Sequence, residues 1–418
     1  MRPVPRSQST AAADRLATCS VAPYADAIKQ HFADGGYAPY TVARHLTNIA
    51  HFAQWAQTKR LHLGSIDEVS VREFLDQHLP RCSCDGPVRH DHADHRAALG
   101  HLLAVLRAQG AIATRARAKT AVDEELQRFD EHMDQVRGLA PRTRTQVLRV
   151  VGRLLRQRFG SDSVDVASIK PSYVRRFYAQ QARLHKTLGG VGSVAAALHS
   201  YFRYRASLGD AVHGLVGAVS APANWRLATL PKALTDQEVE QLIAALGKPG
   251  PSMRRADAIV RCALDLGLRS GEVAGIMLDD IDWRAGTITL RHTKGLREDV
   301  LPLPATTGEA IATYLSSERP QTSNRAVFVR HIAPRHVPVG PDLVRKTIRQ
   351  AYARAGLPHT RSHLLRHTMA SRLLATGSSL KEVADVLRHR ALSTTQVYAK
   401  LDSRNLVEVA MPWPGSAS

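Results

Sequence analysis

His363-Leu-Leu-Arg366-His-Thr-Met369-Ala-Ser-Arg-Leu373-Leu374-Ala-Thr-Gly377, then Leu387-Arg388-His389 and Thr394-Thr395-Gln-Val-Tyr398, is the stretch that decides how this chain reads. His363 and Arg366 stand three apart in a segment with helical rhythm, so their side chains share one face. Leu364, Leu365, Met369, Leu373 and Leu374 form an apolar stripe that calls for burial. Gly377 ends this helix, and Lys381 to Leu387 reads as the next, with Val383, Ala384 and Leu387 apolar. Two histidines, an arginine and a tyrosine held by buried helices can surround a phosphate.

The pattern H-x-x-R-H, L-x-H and T-T-x-x-Y resembles the C-terminal signature of the tyrosine recombinases of phage-integrase type. Leu266-Gly-Leu-Arg269-Ser-Gly-Glu272 is similar to that family's first arginine motif, and Thr293-Lys294-Gly295 to its catalytic lysine loop. The resemblance covers the last half of the chain well and the preceding part more loosely. It implies a site-specific recombinase or integrase that cuts and rejoins DNA through a 3′-phosphotyrosine and a Holliday junction, with no cofactor required for catalysis. Four protomers on two double-stranded DNA sites, a homotetramer that could include sister recombinases, are implied as the working assembly.

Residue types fit that chemistry. Cleaving a phosphodiester without metal needs a nucleophile, positive charge on the non-bridging oxygens and a proton for the leaving 5′ oxygen. Tyr398 is the expected nucleophile, Arg269 and Arg366 the bidentate phosphate grips, and Lys294 the general acid. His363 is expected to take the tyrosine proton, and His389 to hydrogen-bond the phosphate or the tyrosine oxygen. One departure stands out: the family has Leu-Gly-His where this chain has Leu387-Arg388-His389. Two other readings use the same residues. A type IB topoisomerase reseals the same strand, and an architectural DNA-binding protein performs no chemistry.

The 418 residues suggest two or three domains at roughly 150 each. Lys and Arg total 57 against 37 Asp and Glu, a formal charge of +20 that suits a polyanion. Residues 1–20 carry Arg2, Arg6 and Arg15 with no long apolar run, so no secretory signal is read there. No stretch is apolar enough to span a bilayer. Four cysteines are too few for a disulfide framework in a chain this long. These features fit a reducing compartment that holds DNA, a cytoplasmic, nucleoid-associated location in a prokaryote-like cell.

Ahead of the catalytic half lies an internal repeat. Gly36-Tyr-Ala-Pro39-Tyr-Thr41 is echoed by Gly138-Leu-Ala-Pro141-Arg-Thr143, each opening a helix with proline near its start. Ile66, Val71 and Phe74 then match Ile169, Val174 and Phe177, and Ala97–Leu106 matches Val194–Tyr204. The expected organisation is a disordered tail over 1–20, an accessory helical domain over 21–115 and a helical core-binding domain over 118–215. A linker over 216–232 and a catalytic domain over 233–418, launched by the capping box Thr235-Asp-Gln-Glu238, complete it. The fold class is mainly α with a small β-hairpin or sheet in the C-terminal domain (α+β): tandem SAM-like helical domains plus a tyrosine-recombinase catalytic domain. Thr287–Arg291 and Asp299–Leu303 are the strands of that hairpin, with Lys294 at its tip.

Within the second copy Arg142, Arg144, Arg149 and Arg153 crowd one helix and are expected to contact DNA phosphates, the alternative being a solvated arginine-rich face. The first copy reads as an arm-type DNA-binding module or a protein-docking element. It also holds Cys82-Ser-Cys84 followed by His90, His92 and His95. Cys82, Cys84, His90 and His95 could ligate a structural zinc, or form a histidine-rich exposed loop with two thiols. The duplicated helical half looks more like recombinases of transposable elements than chromosome-dimer resolvers. The apolar run Leu406–Met411 is expected to dock on a neighbouring protomer or on its own domain.

Overall fold

In the computed structural model, residues 16, 19–84, 88–113, 119–223, 232–291, 298–388, 395 and 397–398 are described. Most of the N-terminal tail, part of the linker, Lys294, His389 and the Leu406–Met411 run therefore lie outside the described residues. The chain divides into two compact units, one made of Met1–Thr114 with Thr229–Ser418 and the other of Arg115–Ala228.

The repeat seen in the sequence is a repeat of backbone geometry. Gly36 and Gly138 both take left-handed conformations, φ 64° and 56°, which only glycine adopts without strain. Ala38 and Ala140 then follow in extended conformation, and Pro39 and Pro141 occupy the first helical turn. The first copy contains α1 (Ala25–Asp34), α2 (Pro39–Thr58), α3 (Glu68–Glu73), which runs into a π-helical turn over Phe74–His78, and α4 (His92–Ala108). Its core gathers Phe32, Ile49, Phe52, Trp55, Phe74 and Leu102.

The second copy contains α5 (Ala121–Gln135), α6 (Pro141–Phe159), α7 (Pro171–Arg183), α8 (Leu188–Ser207) and the short α9 (His213–Val216). Phe129, Leu155, Phe177, Tyr201 and Phe202 are its core. One carboxylate is sunk into it. Glu125 is 1% exposed and accepts from Tyr201 at 2.9 Å, Arg205 at 2.9 Å and Arg128 at 3.1 Å. The residues expected to form a linker over 216–232 begin as structure: Ala218 and Val219 are buried in this same core.

Thr235 opens the C-terminal region as a capping box, its hydroxyl accepting from Glu238 N at 3.2 Å while Glu238 Oε2 accepts from Thr235 N at 2.9 Å. The helices are α10 (Asp236–Leu246), α11 (Met253–Leu264), α12 (Ser270–Ala274), α13 (Ala305–Ser317), α14 (Pro341–Arg354), α15 (His363–Ala375) and α16 (Leu380–Val386). α11 is the hub: Ile259, Val260, Cys262 and Ala263 are all buried, and α13, α14 and α15 pack around it. The antiparallel sheet runs β1 (Ile281–Asp282), β2 (Thr287–Leu290) and β3 (Asp299–Pro302), with Leu290 opposite Asp299. The structure is thus mainly helical with one small sheet in its C-terminal part. No helix among the described residues is long and apolar enough to cross a membrane.

Glu125 offers a test of the second copy's packing. Breaking a buried ion pair from one side costs about 3–5 kcal/mol, because a charge is left behind in the core. Arg128 still offsets part of that charge, so Arg205→Met is expected to lower stability by about 2 kcal/mol. Tyr201→Phe, which removes a neutral donor, should cost about 1 kcal/mol. Denaturant melts of the three proteins give the comparison.

Candidate active site

α11 ends at Leu264, and the chain turns at Gly267 with φ 59°. A Cβ there would lie 3.1 Å from Leu387 Cδ2 and 3.2 Å from Met369 Sδ, so glycine is required by conformation and by crowding alike. Arg269 follows in extended conformation and is itself the residue that caps α12. A cap from Ser270 is the natural reading of the sequence. Instead Glu272, in the first turn, reaches back: its Oε2 accepts from Arg269 N at 2.8 Å, and its Oε1 accepts from the Arg269 guanidinium at 2.7 Å. Backbone and side chain of the arginine are held by one carboxylate.

Arg366 lies on the first turns of α15 and is 4% exposed. Its Nη1 donates to Gly267 O at 2.5 Å and its Nη2 to Leu387 O. One guanidinium therefore ties α15 to the turn that carries Arg269 and to the end of α16. Burial first, and the Arg269 charge second, pull Arg366 down to about 9. It remains a cation at neutral pH, close enough to Arg269 for the two to repel. That crowding of like charge is what an anion would relieve.

Tyr398 packs with Ala370, Val383 and Leu387 and is 1% exposed. Its hydroxyl lies 2.6 Å from His367 Nδ1. Burial pushes the phenol up to about 12, with Arg366 acting in the opposite direction. Burial, then His363 and Arg366, hold His367 below the ordinary histidine value, which favours the uncharged imidazole at neutral pH. His363 is lowered by the same causes, burial before Arg366 and Arg269.

The sequence-expected residues divide accordingly. Arg269, Arg366, His363 and Tyr398 come together around one centre. Lys294 and His389 lie outside the described residues. The imidazole at the tyrosine oxygen is His367, where the sequence reading placed His363. His367 belongs to the quoted H-x-x-R-H pattern, yet only the return of Tyr398 onto α15 singles it out.

Arg388 is a second residue whose role is visible only in the folded chain. It has φ 54°, a conformation that suits the glycine usual at this place and strains an arginine. Its Nη2 donates to Glu272 Oε2 at 2.8 Å, both side chains 6% exposed. Burial works to raise Glu272, but Arg388 and Arg269 together bring it below its usual value. Two guanidiniums thus share one carboxylate while Arg366 meets only carbonyls, leaving the centre with positive charge to spare.

Of the arginines expected on DNA, Arg142, Arg149 and Arg153 are exposed on α6, and Arg153 donates to Gln181 Oε1 at 3.0 Å. Arg144 is different. It is half-buried and pairs with Asp130 at 3.3 Å and with Asp134, so its charge is already met within the unit. The expected metal set is also recomposed. Cys82 and Cys84 are gathered with His51 and His78, while His90 Nδ1 lies 3.1 Å from Leu79 O and His95 Nδ1 3.0 Å from Asp91 O.

Residues 232–404 match the phage integrase family. The y4rA integrase/recombinase of Sinorhizobium fredii is 35% identical over 405 residues, covering 95% of each chain. Tyrosine recombinase XerC of Rhizobium meliloti is 31% identical over 259 residues, 59% of this chain and 77% of its own. Among solved structures, XerH recombinase bound to a difH substrate after cleavage superposes with a TM-score of 0.52 at 17% identity, covering 72% of this chain and 91% of the other. A lambda integrase dimer on a COC′ core site gives 0.51 at 16% identity, covering 69% and 96%. At such identities those two speak for the fold alone.

This chain belongs to the phage integrase family, the tyrosine recombinases. It is accordingly a DNA-strand-transferring enzyme.

The Arg388 pairing can be tested against its own strain. Left-handed backbone costs about 1–2 kcal/mol in a residue with a Cβ, whereas opening a buried ion pair costs about 3–5 kcal/mol. The pair wins. Arg388→Gly is expected to lower stability by about 2 kcal/mol despite relieving the backbone. A thermal melt that rises instead would show the pair to be worth less than the strain.

Proposed function

We propose that this chain is a site-specific recombinase in which the Tyr398 oxygen attacks a DNA phosphorus held by Arg269 and Arg366. The tyrosine–phosphorus bond forms as the bond to the 5′ oxygen breaks. The observation that carries this reading is the convergence at Arg366, which binds the Arg269 turn and the end of α16 on the helix whose His367 meets the tyrosine hydroxyl. A phenol with a value near 12 is a poor nucleophile unless its proton leaves in the same step. His367 takes that proton, and Lys294 supplies one to the departing 5′ oxygen. His363 and His389 hydrogen-bond the phosphate.

The ester keeps the energy of the broken bond, so a 5′ hydroxyl from the partner duplex reverses the step and rejoins the strand without ATP. On this reading four copies on two duplexes exchange strands in pairs through a Holliday junction, in the cytoplasm of a bacterium. Arg142, Arg149 and Arg153, exposed along α6, add phosphate contacts from the second helical domain over 118–215. The duplicated helical half is our ground for reading it as a recombinase of a transposable element rather than a chromosome-dimer resolver. A structural zinc in the helical domain over 21–115 would take no part in this chemistry.

The test is a nicked suicide duplex from the gene's own locus. Wild-type protein should form a covalent adduct that Tyr398→Phe cannot form, while DNA binding survives. Arg269→Ala or Arg366→Ala is expected to slow adduct formation by about 10²–10³. His367→Ala should slow it by about 10², and more than His363→Gln does. Because His367 is held below the ordinary ~6.5, cleavage should persist as pH falls through that value and fade only beneath it. Relaxation of supercoils with no exchanged product would indicate a topoisomerase, and binding with no adduct an architectural protein.

A further inference from the structure

We propose that the N-terminal helical domain holds a structural zinc ion on His51, His78, Cys82 and Cys84. The proposal stands apart from the recombination chemistry and does not rest on it. Four donor atoms from three separate places meet: His51 on α2, His78 at the end of the π-helical turn, and Cys82 and Cys84 in the segment that follows. All lie within 4.8 Å of one another.

The separations are those of ligands around one ion. For Zn–N of ~2.05 Å and Zn–S of ~2.3 Å, a tetrahedron has edges of ~3.4 Å between nitrogens and ~3.6 Å between nitrogen and sulfur. Here His51 Nε2 and His78 Nε2 are 3.4 Å apart, Cys82 Sγ and His51 Nε2 3.2 Å, and Cys84 Sγ and His78 Nε2 3.5 Å. Two sulfurs and two imidazoles make a closed set that suits zinc, with no place kept for water or substrate.

The surroundings orient the ligands. Asp91 O can only accept, so His95 Nδ1 carries the proton at 3.0 Å and its Nε2 presents a lone pair. That lone pair faces His51 Nδ1 at 3.4 Å, which makes Nδ1 the protonated nitrogen of His51. His51 Nε2, the atom turned towards His78 and Cys82, is then in the tautomer that can ligate. His95, fully buried, thus acts behind the ligand rather than as one. Cys84 N donates to Cys82 Sγ at 3.4 Å, a contact that favours the thiolate. The ion would fasten the chain after His78 to the centre of α2.

The test is metal analysis of the full-length chain purified without chelator, paired with cobalt substitution. Zinc at one ion per chain is expected, falling to background in Cys82→Ser/Cys84→Ser and unchanged in His90→Ala. The Co²⁺ form should show thiolate charge-transfer and tetrahedral d–d bands, with the same dependence on the variants. If the double variant fails to fold, titrating the wild type with a mercurial should release zinc in step with modification of Cys82 and Cys84, mapped by mass spectrometry. Wild-type protein without zinc and without a tetrahedral cobalt spectrum overturns the proposal. So does zinc that stays when both thiols are blocked or replaced, or that leaves with His90.

Discussion

A single buried guanidinium decides whether this site exists. Arg366 gives one N–H to the carbonyl of Gly267 and another to that of Leu387, on two segments that no shared secondary structure joins. Carbonyl dipoles are weak partners for a buried cation, which is why burial pulls this arginine down to about 9. They have the merit of leaving its charge uncancelled. An aspartate in their place would hold the side chain as firmly but neutralise it towards a phosphate. Orientation and charge are supplied separately, and the site needs both.

Glu272 solves the complementary problem for Arg269. It fixes the backbone and the side chain of that arginine together and so spends its own charge there. Arg388 then enters as a second cation on the same carboxylate, which restores the positive balance of the centre. Where glycine would satisfy the backbone at no cost, the chain accepts a strained arginine. The ion pair is buried on both sides, so it outweighs the strain, and the departure from the family's usual Leu-Gly-His gains a physical reason.

Much of this was legible in the chain itself, because local rules govern it. The capping box at Thr235, the glycine turns at Gly36 and Gly138 and the hairpin strands each follow from a few adjacent residues. Arg269, Arg366 and Tyr398 were legible through the order of their motifs. Other features depend on how distant segments return. His363 and His367 lie one turn apart on α15, and only the packing of Tyr398 against Ala370, Val383 and Leu387 selects the second. Likewise Arg144 reads as one more free cation until α5 brings Asp130 and Asp134 against it.

The two helical copies show how far one backbone plan can diverge. Each contains a left-handed glycine followed by a proline-started helix, yet α2 turns His45, Asn48 and His51 inward while α6 turns Arg142, Arg149 and Arg153 outward. A guanidinium stays charged, so in a small helical domain it is driven to the surface unless a carboxylate meets it. An imidazole can go inside neutral, and once inside it offers a lone pair whose direction its neighbours fix. Sequence proximity therefore pointed to His90 and His95 as partners of the two cysteines. The fold favours His51 and His78 instead, since their ring nitrogens gather with the two sulfurs while those of His90 and His95 meet the backbone carbonyls of Leu79 and Asp91.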